Sequence, residues 1–312
     1  MRAVMRWIAR FGDELVALVL ALAVVGLAWA DVVGSAAVAN TVLLVLAAIT
    51  TANLRDRFRA RAAHEELLQQ LEQRAGELAS SLTSGTHVRV LTGTQIATEH
   101  AVARKGTVLW HFRGGTGTYL RAVTLPECIT AARSNRRRLE VRIQILDPAN
   151  EELCGRYARF RTTLAIRPDG VGEPWTLDRT RKEAYATILA ACWHRQRYDL
   201  LDIAVGLSNT MTTFRWDQSS TAVILTQENP DGQALLFARD KPYYGYWDVE
   251  LRSSFDQSRH VPIENDVPLS DEPSVDEVTA LFAALGMPLP YSGRDVSDIV
   301  FKALRARNPY KR

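Results

Sequence analysis

The chain has 312 residues and a formal net charge of only +3, from 38 basic and 35 acidic residues. That length suffices for a membrane anchor and one or two soluble domains, and the charge balance excludes a general polyanion binder, so nucleic acid is not an expected partner. Cys128, Cys154 and Cys192 are too scattered to form a disulfide framework or a metal knuckle, and they read as reduced thiols.

The N-terminal pattern comes first in chain order. Every residue from 15 to 30 is apolar or Gly, and a second apolar run covers 36–52, interrupted only by Asn40, Thr41, Thr50 and Thr51. A membrane-spanning helix needs about 17–25 residues, and each run reaches that length with its flanks. A cleaved signal peptide does not explain the pattern, because the second run follows at once. Hydrophobicity on all sides of both runs speaks against a buried soluble hairpin. Arg2, Arg6 and Arg10 precede the first run, and Arg55, Arg57, Arg59 and Arg61 follow the second, whereas the turn at Asp31, Gly34 and Ser35 carries no basic residue. The bias predicts a two-helix transmembrane hairpin over 1–53, in the inner membrane, with both termini cytoplasmic. The lipid bilayer is thus an expected partner. Trp7 and Trp29 suit the interfaces, and Gly34, Ser35, Ala36, Ala37 and Ala39 permit close helix packing.

Residues 54–85 read as a helical stalk. Leu67, Leu68, Leu71, Leu78 and Leu82 recur at helical spacing among Glu65, Glu66, Glu72 and Glu77. The run is too short to fix a coiled coil, so helix docking and homo-oligomer formation both stay open. Ser80, Ser81, Ser84 and Gly85 end it.

From residue 86 to 260 the pattern alternates. Strands are expected at 87–91, 108–112, 139–146, 200–207, 214–216, 221–226 and 234–237. Helices are expected at 95–104, from a Thr124 cap to about 135, at 151–161 and at 179–195. A loop is expected at 167–175. The order predicts an α/β sandwich with a mixed sheet. Residues 261–273 read as a linker. Ser274 and Glu277 form a capping box for a helix through residue 285, and a second helix begins at Ser292 and Asp295. This small helical C-terminal segment, 261–312, either docks on the core or binds a partner.

The layout of residues 92–260 resembles one repeat of the phospholipase D-like superfamily. The resemblance rests on the strand, glycine turn, helix and strand of 109–147, and on the two strands of 202–227 that follow a long helix. Active members carry a His-x-Lys pair and a downstream Asp, the His accepting the phosphoryl group. None of this chain's six histidines has Lys two residues on; His87 and His111 have Arg89 and Arg113 there instead. The departure favours a non-catalytic descendant that binds a ligand over an enzyme. No catalytic residue, metal site or cofactor is expected. The sequence also lacks a Walker loop, a dinucleotide fingerprint, a Gly-x-Ser-x-Gly and a His-Glu-x-x-His.

One segment stands out as a candidate site. Arg113, Gly114, Gly115, Thr116, Gly117, Thr118 and Arg121 lie between the end of a strand and the start of a helix. Ligands often bind at that place in open α/β sheets. Backbone N–H groups and the helix dipole favour an anion there, and Arg113 and Arg121 supply guanidinium groups. The plainer alternative is a βα turn whose glycines satisfy backbone geometry. Anchor, stalk and domain together predict a membrane sensor-effector that binds a small anionic ligand, with a nucleotide as one candidate. This architecture is analogous to the membrane effectors of bacterial antiviral defence signalling. A membrane-bound phosphodiesterase or lipid-acting enzyme and a membrane scaffold for a protein partner are the alternatives.

Overall fold

The computed structural model describes residues 88–164, 174–229, 232–306 and 308–309, together with Leu43, Leu46, Ala47, Thr50, Gln73 and Arg74. The expected hairpin and stalk otherwise lie outside the described residues, as does most of the loop at 167–175. The isolated positions at 43, 46, 47 and 50 are helical, with Thr50 Oγ1 donating to the Leu46 carbonyl at 2.7 Å. Leu43 is 65% exposed and Leu46 56%. Among the described residues no helix is long and apolar enough to cross a membrane. The chain divides into two compact units, Met1–Gly85 and Thr86–Arg312.

The second unit is built on an eight-stranded mixed sheet. Its strands are β1 (Arg89–Leu91), β2 (Leu109–Arg113), β3 (Leu139–Leu146), β4 (Leu201–Ser208), β5 (Phe214–Ser219), β6 (Ala222–Gln227), β7 (Ala234–Ala238) and β8 (Arg259–Val261). Their spatial order is β1-β7-β6-β5-β2-β3-β4-β8. Strands β2, β3 and β4 run parallel, and the other neighbouring pairs are antiparallel.

The helices are α1 (Thr94–Arg104), α2 (Leu125–Ser134), α3 (Glu151–Leu164), α4 (Leu177–Arg195), α5 (Pro242–Asp256), α6 (Val275–Ala284) and α7 (Gly293–Leu304). Alternation along β3 and β4 sends Val141, Ile143, Ile145, Ile203, Val205 and Leu207 into one large core. This is the period of a strand with two unlike faces. Helix α4 crosses that core and is buried on nearly every side, from Ala184 to Cys192. The C-terminal helices join the same core through Val278, Leu281, Phe282, Val296 and Ile299. Two short helices bury little alone, and here they complete the cover of α4. On the opposite face, α5 covers a smaller cluster of Trp216, Val223, Leu225, Phe237 and Leu251.

Two features differ from the sequence expectation. Thr124 does not cap a helix: its backbone is already helical, its side chain makes no cap bond, and a π-helical turn, Leu120–Thr124, precedes α2. Helix α5 and strand β8 were not expected. The start of α5, Pro-Tyr-Tyr-Gly-Tyr-Trp, is poor in strong helix formers, so its fold depends on packing of Trp247 and Leu251 against the sheet.

Candidate functional site

The parallel strands end along one edge, and the chain reverses there. From β4 it returns through residues 209–213 to β5, on the far side of β2. Such a reversal opens a crevice outside the carboxyl ends of the strands. The expected site residues sit at this edge, though not all face solvent.

The glycine turn is sewn to the neighbouring strand: the Gly114 N–H donates to the Gln144 carbonyl at 3.0 Å, and the Leu146 N–H to the Gly115 carbonyl at 2.9 Å. A Cβ on Gly114 would lie 2.8 Å from the Phe112 ring and 3.1 Å from Arg215 Cγ, and one on Gly115 would lie 2.2 Å from the Tyr157 ring. Gly117 has φ +74° and faces Thr187. The glycines therefore admit the chain's own side chains. Thr116 is buried and shares a hydrogen bond with Thr118 at 3.0 Å, and Thr118 donates to Glu183 at 3.1 Å.

Arg121 was expected to contact an anion, and the structure turns it inward. It is 3% exposed and ion-paired with Glu183. Its Nε donates to the Lys302 carbonyl at 2.7 Å, and one Nη to the Glu183 carbonyl at 2.9 Å and Thr187 Oγ1 at 2.6 Å. Burial opposes ionisation of Glu183, yet the adjacent Arg121 charge and hydrogen bond, with Lys302 and Thr118, hold its carboxyl below the ordinary value. The pair ties the turn to α4 and α7 and leaves that guanidinium unsuited to an external anion.

Arg113 stands differently. Its side chain is partly exposed, lies 5.0 Å from the Trp216 ring centroid, and pairs with the largely exposed Glu250 at 3.1 Å. The same edge receives four more arginines. Arg215, at the start of β5, is buried as Arg121 is, donates to Asp217 Oδ2 at 2.8 Å and lies 5.2 Å from the Tyr119 ring. Arg161 pairs with Glu228, just beyond β6, and Arg161 and Arg179 lie 4.5 and 4.3 Å from the Trp175 ring. Arg259, at the start of β8, pairs with Asp147 at 2.8 Å. Stacking on aromatic rings orients a guanidinium while leaving its edge able to fork hydrogen bonds.

Behind the turn lies a buried polar cluster that sequence spacing did not identify. His100 of α1 meets Arg215 at 3.5 Å. His100 Nδ1, Asp217 Oδ1 and Thr226 Oγ1 are enclosed without a hydrogen-bond partner. Burial, with the nearby Arg215 and Arg104 charges against Asp217, pushes His100 down to about 4. The ring is therefore neutral near pH 7. Asp217 and Arg215 are two apart on a strand, a spacing that signals only a shared face.

No family model and no curated protein matches the chain. Among solved structures, TrmBL2, an archaeal chromatin protein with a novel mode of DNA binding, aligns over 72% of this chain and 71% of its own, at 9% identity and a TM-score of 0.33. Phosphatidylserine synthase of Haemophilus influenzae Rd KW20 aligns over 70% of this chain and 47% of its own, at 13% identity and a TM-score of 0.39. This chain thus spans about half the length of that synthase chain.

Proposed function

We propose that this chain is a membrane-anchored binding protein whose α/β domain takes a small anionic ligand at the carboxyl edge of β2, β3 and β4. One observation carries the reading: Arg113, Arg161, Arg179 and Arg259 gather along this edge beside the glycine turn, and the Glu250 partner of Arg113 is exposed, so that pair is weak enough to yield to a ligand. Arginine forks match phosphate and carboxylate oxygens. Within this reading the domain keeps a phospholipase D-like layout without its chemistry, since no His-x-Lys pair exists. A nucleotide fits the charge and the place in the sheet. As a sensor-effector, a role proposed on architecture alone, the chain would pass ligand binding through the stalk to the anchor.

The test is a titration of the purified full chain in detergent with nucleotides, inorganic phosphate and glycerophosphate head groups. Binding stabilises the native state, so the midpoint of thermal unfolding should rise with ligand concentration. Arg113→Ala, with folding checked by circular dichroism, should weaken binding about tenfold to a hundredfold, the worth of one charge-assisted contact. An unchanged affinity in that variant removes the site from this edge. Steady hydrolysis of a phosphodiester, lost in His111→Ala, would restore the enzyme alternative.

A further inference from the structure

On the face of the sheet covered by α5 lies a cavity of about 200 Å3. His111 of β2 lines it, 3% exposed, and its Nε2 has no hydrogen-bond partner. His111 is paired across the strands with Gln218 of β5, which is fully buried. The Gln218 Nε2 donates to Asp248 Oδ1 at 2.7 Å. A carboxylate only accepts, so this bond fixes the orientation of the amide. The amide oxygen is thus a true acceptor, and it too is enclosed without a partner. Buried polar atoms are rarely left unpaired, because each costs the full desolvation of the group.

The walls decide the kind of ligand. Arg142 is held by Asp202 at 2.9 Å and by Glu140 at 3.2 Å, and Arg252 by Asp248 at 3.2 Å. Both guanidinium groups at the cavity are therefore matched by carboxylates. Asp256, at the exposed mouth, has no ion-pair partner among the described residues. Leu109 and Phe255 supply apolar wall, with Phe255 packed edge-on against the His111 ring, 5.6 Å between centroids. Burial first, and the Arg142 charge next, push His111 down to about 4, so the ring is neutral and one nitrogen is an acceptor. Each guanidinium that acts on His111, Arg113 included, is matched by a carboxylate, and the Asp256 charge is left over, which disfavours an anion.

We propose that this cavity binds a small primary amine, whose ammonium donates to His111 Nε2 and is drawn in by Asp256. The proposal does not rest on anion binding at the arginine edge, although the Arg113 charge reaches His111. The experiment is a calorimetric titration of the full chain in detergent with ethanolamine, and with ethylene glycol as the uncharged control of similar size. Ethanolamine should give a saturable heat and ethylene glycol none. Asp256→Asn changes only an exposed side chain and should weaken ethanolamine several-fold. His111→Phe, with folding checked by circular dichroism, should weaken it about tenfold or more. The absence of saturable heat, equal binding of ethylene glycol, or an unchanged affinity in Asp256→Asn overturns the proposal.

Discussion

Tyr157 dictates glycine at 115, because a Cβ there would sit 2.2 Å from the tyrosine ring. Gly115→Ala should therefore destabilise the domain by about 1–3 kcal/mol, the usual cost of overpacking. The partner variant Tyr157→Ala should abolish most of that increment, so a double-mutant cycle in denaturant reads strong coupling between the two positions. Arg121 shows how far such residues were legible. Its place beside a glycine turn suggested a ligand contact, but Glu183 is distant in sequence and sits on a helix that only the fold brings close. Arg121→Met leaves Glu183 buried with Lys302 as its remaining cation, at 3.4 Å. Breaking such a pair costs about 3–5 kcal/mol, and chemical denaturation should show a loss of that order. His100 and His111, both pushed down to about 4 by burial from an ordinary 6.5, add a pH dependence. The unfolded chain takes up their protons first, so stability is full above about pH 6.5 and falls as pH drops toward 4. The denaturant midpoint at pH 5 should lie below that at pH 7.

At the scale of elements, legibility followed the strength of local pattern. Strand β3 was readable at its full length because Val141, Ile143 and Ile145 alternate with polar neighbours. Helix α6 was readable from its capping box, which the structure forms: Glu277 N–H donates to Ser274 Oγ, and Ser274 N–H to the Glu277 carboxylate. Ser274→Ala should cost about 1 kcal/mol, measurable in thermal or denaturant unfolding. Helix α5 was not readable, because aromatic side chains and Gly245 weaken the local signal, while its burial rests on the distant strands β5, β6 and β7. The π turn before α2 was hidden for a related reason. Thr124 and Pro126 look like a helix start, yet the chain is already helical from Thr118 and π-helical from Leu120, where Arg121 must reach Glu183 and the Lys302 carbonyl. The candidate edge was half visible. The turn announced itself by its glycines, whereas Arg161, Arg179, Arg215 and Arg259 converge only through the order of the strands.

At the scale of the whole molecule, the question is whether the N-terminal segment anchors the domain to a membrane. The apolar runs at 15–30 and 36–52 and the arginines that flank them motivate a hairpin with both ends in the cytoplasm. The prediction is read by thiol chemistry. Cys128, Cys154 and Cys192 are buried, and burial pushes each thiol up to about 12, so the native cysteines give little background in the folded chain. A cysteine placed at Ser35, in the turn, should react with a membrane-impermeant maleimide in intact cells. One placed at Ser84 should react only after the cells are opened. Labelling of Ser84→Cys in intact cells, with Ser35→Cys protected, would reverse the topology and put the arginine edge outside. Protection of both positions until lysis would place the turn inside as well, and the hairpin reading would fail with it.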